Sequence, residues 1–220
     1  MDHLSEELEY KIAFHIGGLA VPSYVVVTWG IMAFLVIFSI LMTRNMKLVP
    51  GKRQVVIEGL VSFLYKLYYD IVGEKGKRYI PYLSSVCVFL AVADAIGLLG
   101  ISPPTRNLNV TVALAIVSIL MVQVAAIQTK GVGGWLKGFG HPVPVVAPMN
   151  VLDLFIRPLS LSLRLFGNVL GGVIIMALLT GVAPVGVPLI GSAYFDVFDG
   201  LLQAYIFTFL TSLYLQEAIE

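Results

Sequence analysis

Residues 157–168 read RPLSLSLRLFGN and place Arg164 inside a run that is otherwise uncharged from Leu159 to Ala183. A guanidinium held in hydrocarbon costs about 2.5–3.5 kcal/mol on insertion scales. A chain that keeps one there usually has a use for it. Projected onto a helix at about 100° per residue, Ser160 and Asn168 fall about 40° to either side of Arg164, and Asp153, Arg157 and Gly171 about 20° away. One face therefore carries a polar stripe, and the opposite face is Leu and Phe. Gly167 and Gly171 have the small-residue spacing that lets another helix come close. The pattern leaves two readings open: a functional charge, or an arginine near the membrane edge whose stem snorkels to the interface.

Composition sets the class around that stretch. Of 220 residues, 58% are hydrophobic and 12% charged, with a mean hydropathy of +0.92. Soluble domains carry about 25% charged residues, so the expectation is a membrane protein. A net charge of +1, with no basic cluster interleaved with aromatics, gives no nucleic-acid footprint. Cys87 is the only cysteine, which excludes intramolecular disulfides and cysteine metal clusters. Residues 1–10 carry four acids and no Lys or Arg, the reverse of a basic export-signal segment.

The chain reads as all-α and polytopic, a single integral membrane domain over residues 1–220. A polar lead-in, loop or short helix, covers 1–22. About five spans follow, near 23–43, 79–101, 108–128, 150–183 and 189–216. Between the first two, Glu58, Ser62, Lys66, Asp70 and Glu74 recur every fourth position. That makes 52–74 an amphipathic helix, lying on the membrane face or packed on a partner. The fourth span would rise about 50 Å and must tilt steeply or kink, with Pro158 the kink site. Lys and Arg number eight in the 44–80 loop and two in 129–149, against Arg106 alone in 101–108 and Lys11 alone before the first span. The basic loops are cytoplasmic by the positive-inside rule, which puts the amino terminus outside and the carboxyl terminus inside.

Other polar residues at membrane depth are few. Asp196 and Gln203 are seven apart and share a face, which resembles the mouth of an aqueous half-pathway; an ordinary helix-start acid is the other reading for Asp196 and the favoured one for Asp199. Asp94 is the lone charge of the second span and a functional candidate by position. His3, His15 and His141 fall in expected loops without metal-ligand spacing, and Ser192 lacks a nucleophile-elbow pattern. No metal, cofactor or protease chemistry is expected.

RPLSLSLRLFGN, continued as VLGG, resembles the signature of the a subunit of F-type ATP synthases. PPTRNLNVTVALA at 103–115 and LLQAYIFTFLTSLYL at 201–215 are similar to two further stretches of that family. The resemblance implies a stator of the Fo proton channel in a bacterial inner membrane, itself non-catalytic. Its implied partners are the c-subunit rotor ring, the b-subunit peripheral stalk and, indirectly, the F1 sector, within the lipid bilayer. It implies that Arg164 faces the ring carboxylates and that Asn168 lines the inner half-channel. Gln203 would lie close to the arginine, with Asp196 in the outer half-channel and Asp94 where a polar residue, commonly asparagine, recurs. Some members carry a carboxylate nine residues after the arginine; here that position is Val173. The coupling ion, H⁺ or Na⁺, is set by the partner ring. Apart from the resemblance, a stand-alone channel or carrier with Arg164 as its selectivity charge, or a structural scaffold, fits the same segments.

Overall fold

The computed structural model describes residues 12–16, 19–44, 51–99, 101–139, 147–182, 191 and 193–220. A small antiparallel hairpin comes first, β1 (Ile12–Ile16) with β2 (Leu19–Pro22). It replaces the loop or short helix expected there and puts His15 in a strand. The alternation Ile12, Phe14, Ile16 is the period-2 signal of a strand, short enough to be overlooked beside a polar terminus. His3 and His141 lie outside the described residues.

Among the described residues six helices follow: α1 (Ser23–Thr43), α2 (Lys52–Gly76), α3 (Ile80–Ala95), α4 (Leu108–Phe139), α5 (Ala147–Val182) and α6 (Gly200–Ile219). Short 3-10 turns at Ile96–Leu99 and Pro104–Arg106 join α3 to α4. A π-helical turn, Ala193–Asp199, precedes α6, so the last span is not the single regular helix that its sequence implies. Among the described residues five stretches are long and apolar enough to cross a membrane: Ser23–Thr43, Lys52–Leu99, Leu108–Trp135, Pro148–Gly181 and Val197–Ile219. The chain is an all-α polytopic membrane protein with one small hairpin.

Two glycines bend helices among the described residues, Gly73 within the expected amphipathic helix and Gly131 in the 129–149 segment expected as loop, where the structure continues as helix to Phe139. Gly73 in α2 (φ 66°) and Gly131 in α4 (φ 73°) lie in the left-handed region, which side chains with a Cβ rarely enter. Pro158, by contrast, sits inside α5 with helix on both sides.

Packing places α6 at the centre, against α2, α3 and α4, while α5 runs chiefly along α4. One buried cluster joins Tyr68 and Val72 of α2, Ile80 and Leu83 of α3, Val122 and Ala125 of α4, and Leu215 and Ile219 of α6. A second holds the middle of the bundle with Leu90, Ala115, Ile119, Leu161, Leu165, Ala204 and Phe207. The seams are lined by small and hydroxyl residues. Gly200, Ala204, Thr208, Thr211 and Ser212 form the buried stripe of α6, and their hydroxyls bond back to carbonyls of the same helix, as Thr208 to Ala204 (2.8 Å) and Thr211 to Phe207 (2.8 Å). Lipid is as apolar as leucine, so close van der Waals packing of this kind has to hold the helices together.

The amphipathic α2 packs on its own chain, with Tyr68, Val72 and Gly76 buried and the polar positions Glu58, Ser62, Lys66, Asp70 and Glu74 all exposed. Its anchor is the fully buried Tyr68. Thr208 already donates to Ala204, so the Tyr68 hydroxyl donates to Thr208 Oγ1, at 2.7 Å. At the other extreme α1 buries only Ile31 and exposes Phe34, Ile37, Ile40 and Leu41, a surface suited to lipid rather than water. Tyr68→Phe is expected to cost about 0.5–1.5 kcal/mol, read as a lower thermal midpoint of the purified protein; an unchanged midpoint would show that the α2–α6 contact does not need the hydroxyl.

Candidate functional site

The polar stripe of α5 has three parts with different surroundings. At its amino-terminal end the Arg157 guanidinium donates to Glu217 Oε1 on α6 at 2.7 Å, lies 4.0 Å from Asp153 and sits 4.8 Å from the centre of the Tyr214 ring. Arg157, placed by sequence on the polar face, thus ties α5 to the end of α6. At the carboxyl-terminal end, Asn168 Nδ2 donates to Asp199 Oδ2 at 2.7 Å. Between them, Ser160 is half-buried and Arg164 is exposed. No hydrogen bond or ion pair engages Arg164 among the described residues.

The neighbours of Arg164 explain its exposure. Leu161, Ser162 and Leu165 face the core, so their helix turns the other side outward. That outer side presents Leu152, Phe155, Leu159, Leu163, Ile174 and Leu178, all about half exposed or more, with the uncapped Gly167 beside the arginine. The result is an open apolar face with one guanidinium set in it.

Among the described residues, two cavities indent the helices on either side of that cation along α5, the first walled mostly by apolar surface with a few polar groups and the second mostly polar. The first, about 340 Å³, is lined by Asp94 and Gly97 of the α3 end, Arg106, Asn168 to Thr180 of α5, and Phe195, Asp199, Gly200 and Gln203. It brings together four residues singled out from sequence or beside them: Asp94, Asn168, Gln203 and Asp199. Val173 contributes to the same wall. The second, about 290 Å³, is formed by Gln123, Lys130, Trp135, Asn150, Asp153, Arg157 and Glu217. Arg164 lines neither. Along α5 the two sets are separated by the stretch from 157 to 168, a rise of about 16 Å.

Asp94 is held tightly in the first cavity. It is 4% exposed and accepts the Thr105 hydroxyl on Oδ1 at 2.6 Å. Gly200 lies so close that a Cβ there would meet Asp94 Cβ at 2.7 Å. The glycine is what lets the last helix start against the carboxylate. Thr105 belongs to the PPTRN stretch whose resemblance is noted above; its link to Asp94 was invisible because the partner lies across a turn of irregular backbone. Gln203 is buried at 6% exposure. Asp196 falls in the π-helical turn, and its side chain lies outside the described residues.

Asp199 corrects the sequence reading. A helix-start acid should cap its own helix, but Asp199 makes no side-chain cap bond at the start of α6; its carboxylate is committed across the seam to Asn168. Glu217 was missed altogether, since an acid near a chain end carries no signal until its arginine is known. Among the described residues no group of three His, Cys, Asp or Glu is placed to hold a metal.

The fold and this site define a multi-pass membrane protein with an exposed arginine on an open apolar face and two cavities beside it. The family model described as ATP synthase A chain matches residues 25–216. Subunit a from Moorella thermoacetica is 35% identical, over 94% of this chain and 95% of that protein. A Pelobacter propionicus subunit a is 37% identical over 88% and 86%. The Propionigenium modestum subunit a, named as sodium ion specific, is 32% identical over 95% and 78%. The chain belongs to the ATP synthase subunit a family, a membrane subunit of the Fo sector and a component of the ATP synthase complex.

Gly200→Ala is expected to overpack the seam and displace Asp94, lowering stability by about 1–3 kcal/mol in thermal unfolding of the purified protein. A wild-type midpoint would mean that Asp94 and Gly200 do not touch.

Proposed function

We propose that this subunit is the stator half of an ion-driven rotary motor, with Arg164 as the fixed charge that handles rotor-ring carboxylates. The observation that supports it is the placement of an exposed guanidinium, without a partner among the described residues, between two separate cavities that each carry polar groups. Each cavity serves as a half-channel reaching in from one side, and the stretch of α5 around Arg164 closes the straight path between them.

The chemistry follows from guanidinium. Its pKa is above 12, so Arg164 relays no proton. It attracts a ring carboxylate, favours that group's ionised form and repels a hydronium attempting to cross directly. Each charge that crosses releases about 2.3 kcal/mol per 100 mV, and only a path obliged to pass through the ring turns that into rotation. The subunit does no bond chemistry of its own. The ring of c subunits occupies the open face around Leu159, Leu163 and Gly167, the b-subunit stalk and F1 complete the stationary frame, and α2 lies along the membrane surface.

The orientation puts the amino terminus outside and the carboxyl terminus in the cytoplasm of a bacterial plasma membrane. The cavity containing Asp94, Asp199 and Gln203 then opens outward, beside residues 101–106. The cavity containing Lys130, Arg157 and Glu217 opens inward. Asn168, which the family pattern would assign to the inner path, is grouped here with the outer set by its bond to Asp199.

Arg164→Ala in the assembled complex is expected to abolish ATP-driven proton pumping into inverted vesicles. Arg164→Lys keeps the charge but loses the planar fork, and pumping falls roughly tenfold or more. Normal pumping by the alanine variant contradicts the assignment.

A further inference from the structure

Asp199 is the last residue before α6, at the junction with a π-helical turn. A turn of that kind closes its hydrogen bonds over one more residue than an α-turn. That changes where residue 199 points relative to an unbroken helix. Helix-start carboxylates are normally satisfied by the helix's own N–H groups. This one instead meets the Asn168 amide on the neighbouring helix at 2.7 Å, half-buried at the wall of the first cavity.

The cavity offers few alternatives for moving a proton. On the α5 wall it is lined by Asn168, Val169, Gly172, Val173, Met176, Ala177 and Thr180, none of which titrates. Asn168 is an amide, able to orient a neighbour but not to change charge. Facing Asp199 are Asp94 from α3 and Arg106 from the Pro104–Arg106 turn, with Asp196 on its own turn. Asp94 is engaged by Thr105 and walled in by Gly200. Asp199 is therefore the carboxylate bound to α5 itself, on a residue one turn, about 6 Å of rise, from Arg164.

We propose that Asp199 is the proton-transferring carboxylate at the inner end of this cavity, and that Asn168 is its positioning residue. The inference rests on the stator reading. In the inward direction, protonated Asp199 gives its proton to a ring carboxylate leaving Arg164; Asp199 becomes carboxylate, the ring group becomes the neutral acid, and hydronium in the cavity restores the proton on Asp199 and leaves water. Asn168 holds the carboxylate toward the arginine face throughout the cycle.

The test uses the assembled complex in inverted vesicles, with passive proton conduction measured after F1 is stripped. Asp199→Asn preserves size and can still accept from Asn168, but it carries no proton. It is expected to lower both pumping and passive conduction roughly tenfold or more and to flatten their dependence on pH on the cavity side. Asp199→Glu is expected to recover most of the rate. The exchange Asn168→Asp with Asp199→Asn, which moves the acid to the other helix, is expected to recover part of it, and this arm also covers a single variant that fails to assemble. Wild-type conduction and an unchanged pH profile in Asp199→Asn would overturn the inference and leave Asp199 a structural contact, as would an assembled double exchange no better than the single variant. Arg164→Ala in parallel separates the two levels: if it pumps, the stator reading falls as well; if it is silent while Asp199→Asn pumps normally, only the role of Asp199 falls.

Discussion

Everything in this structure turns on a cation that the described residues leave without a counter-charge. Arg157 and Asn168, at the ends of one helical stripe, are both tied to the last helix and the residue before it. Arg164, between them, is turned away by the same packing that buries Leu161 and Leu165. An ion at membrane depth is costly unless it meets an opposite charge or water. Among its described residues this chain places no opposite charge against the guanidinium, which leaves the face around Arg164 open.

The rest of the bundle makes that exposure sustainable. Small and hydroxyl residues along α6 allow α2, α3 and α4 to approach closely, with buried hydroxyls satisfied within their own helices. The rigid centre fixes α5 through Leu161 and Leu165, while the two polar contacts at 157 and 168 set its rotation. Rotation is the quantity that matters, because one residue of slip turns the guanidinium by about 100°, in one sense into the buried position of Leu165 and in the other to that of Leu163. The same seam also admits polar volume: Gly200 leaves room for Asp94, and the π-helical turn brings Asp199 to Asn168.

Much of this was legible in the sequence. Apolar run lengths gave the helices, every-fourth polar residues gave the exposed stripe of α2, and angular projection put Ser160, Arg164 and Asn168 on one face. Projection assigns a face but not a neighbour. Arg157 and Glu217 are 60 residues apart, and Asn168 and Asp199 are 31 apart; nothing local couples either pair. The break at Gly73 was hidden for a related reason, whereas Gly131 falls in the loop expected over 129–149. A glycine in an apolar helix can serve close packing or a positive φ, and only the surrounding backbone decides between them. The hairpin at Ile12–Pro22 was too short for its alternation to stand out. Asp199 was misjudged because capping is the commonest fate of an acid at a helix start, and the π-helical turn that removes it from that role leaves no compositional mark.

The claim that a rotating partner covers the Arg164 face is tested most directly by zero-length disulfide formation in the intact complex. With Cys87 replaced, single cysteines at Leu159, Leu163 and Gly167 on the open face, and at Leu161 and Leu165 on the core face, are paired with cysteines near the ring's carboxylate. The account predicts cross-links from 159, 163 and 167 and none from 161 or 165. Cross-links confined to the core-facing positions, or none from the open face in an assembled complex, would contradict it.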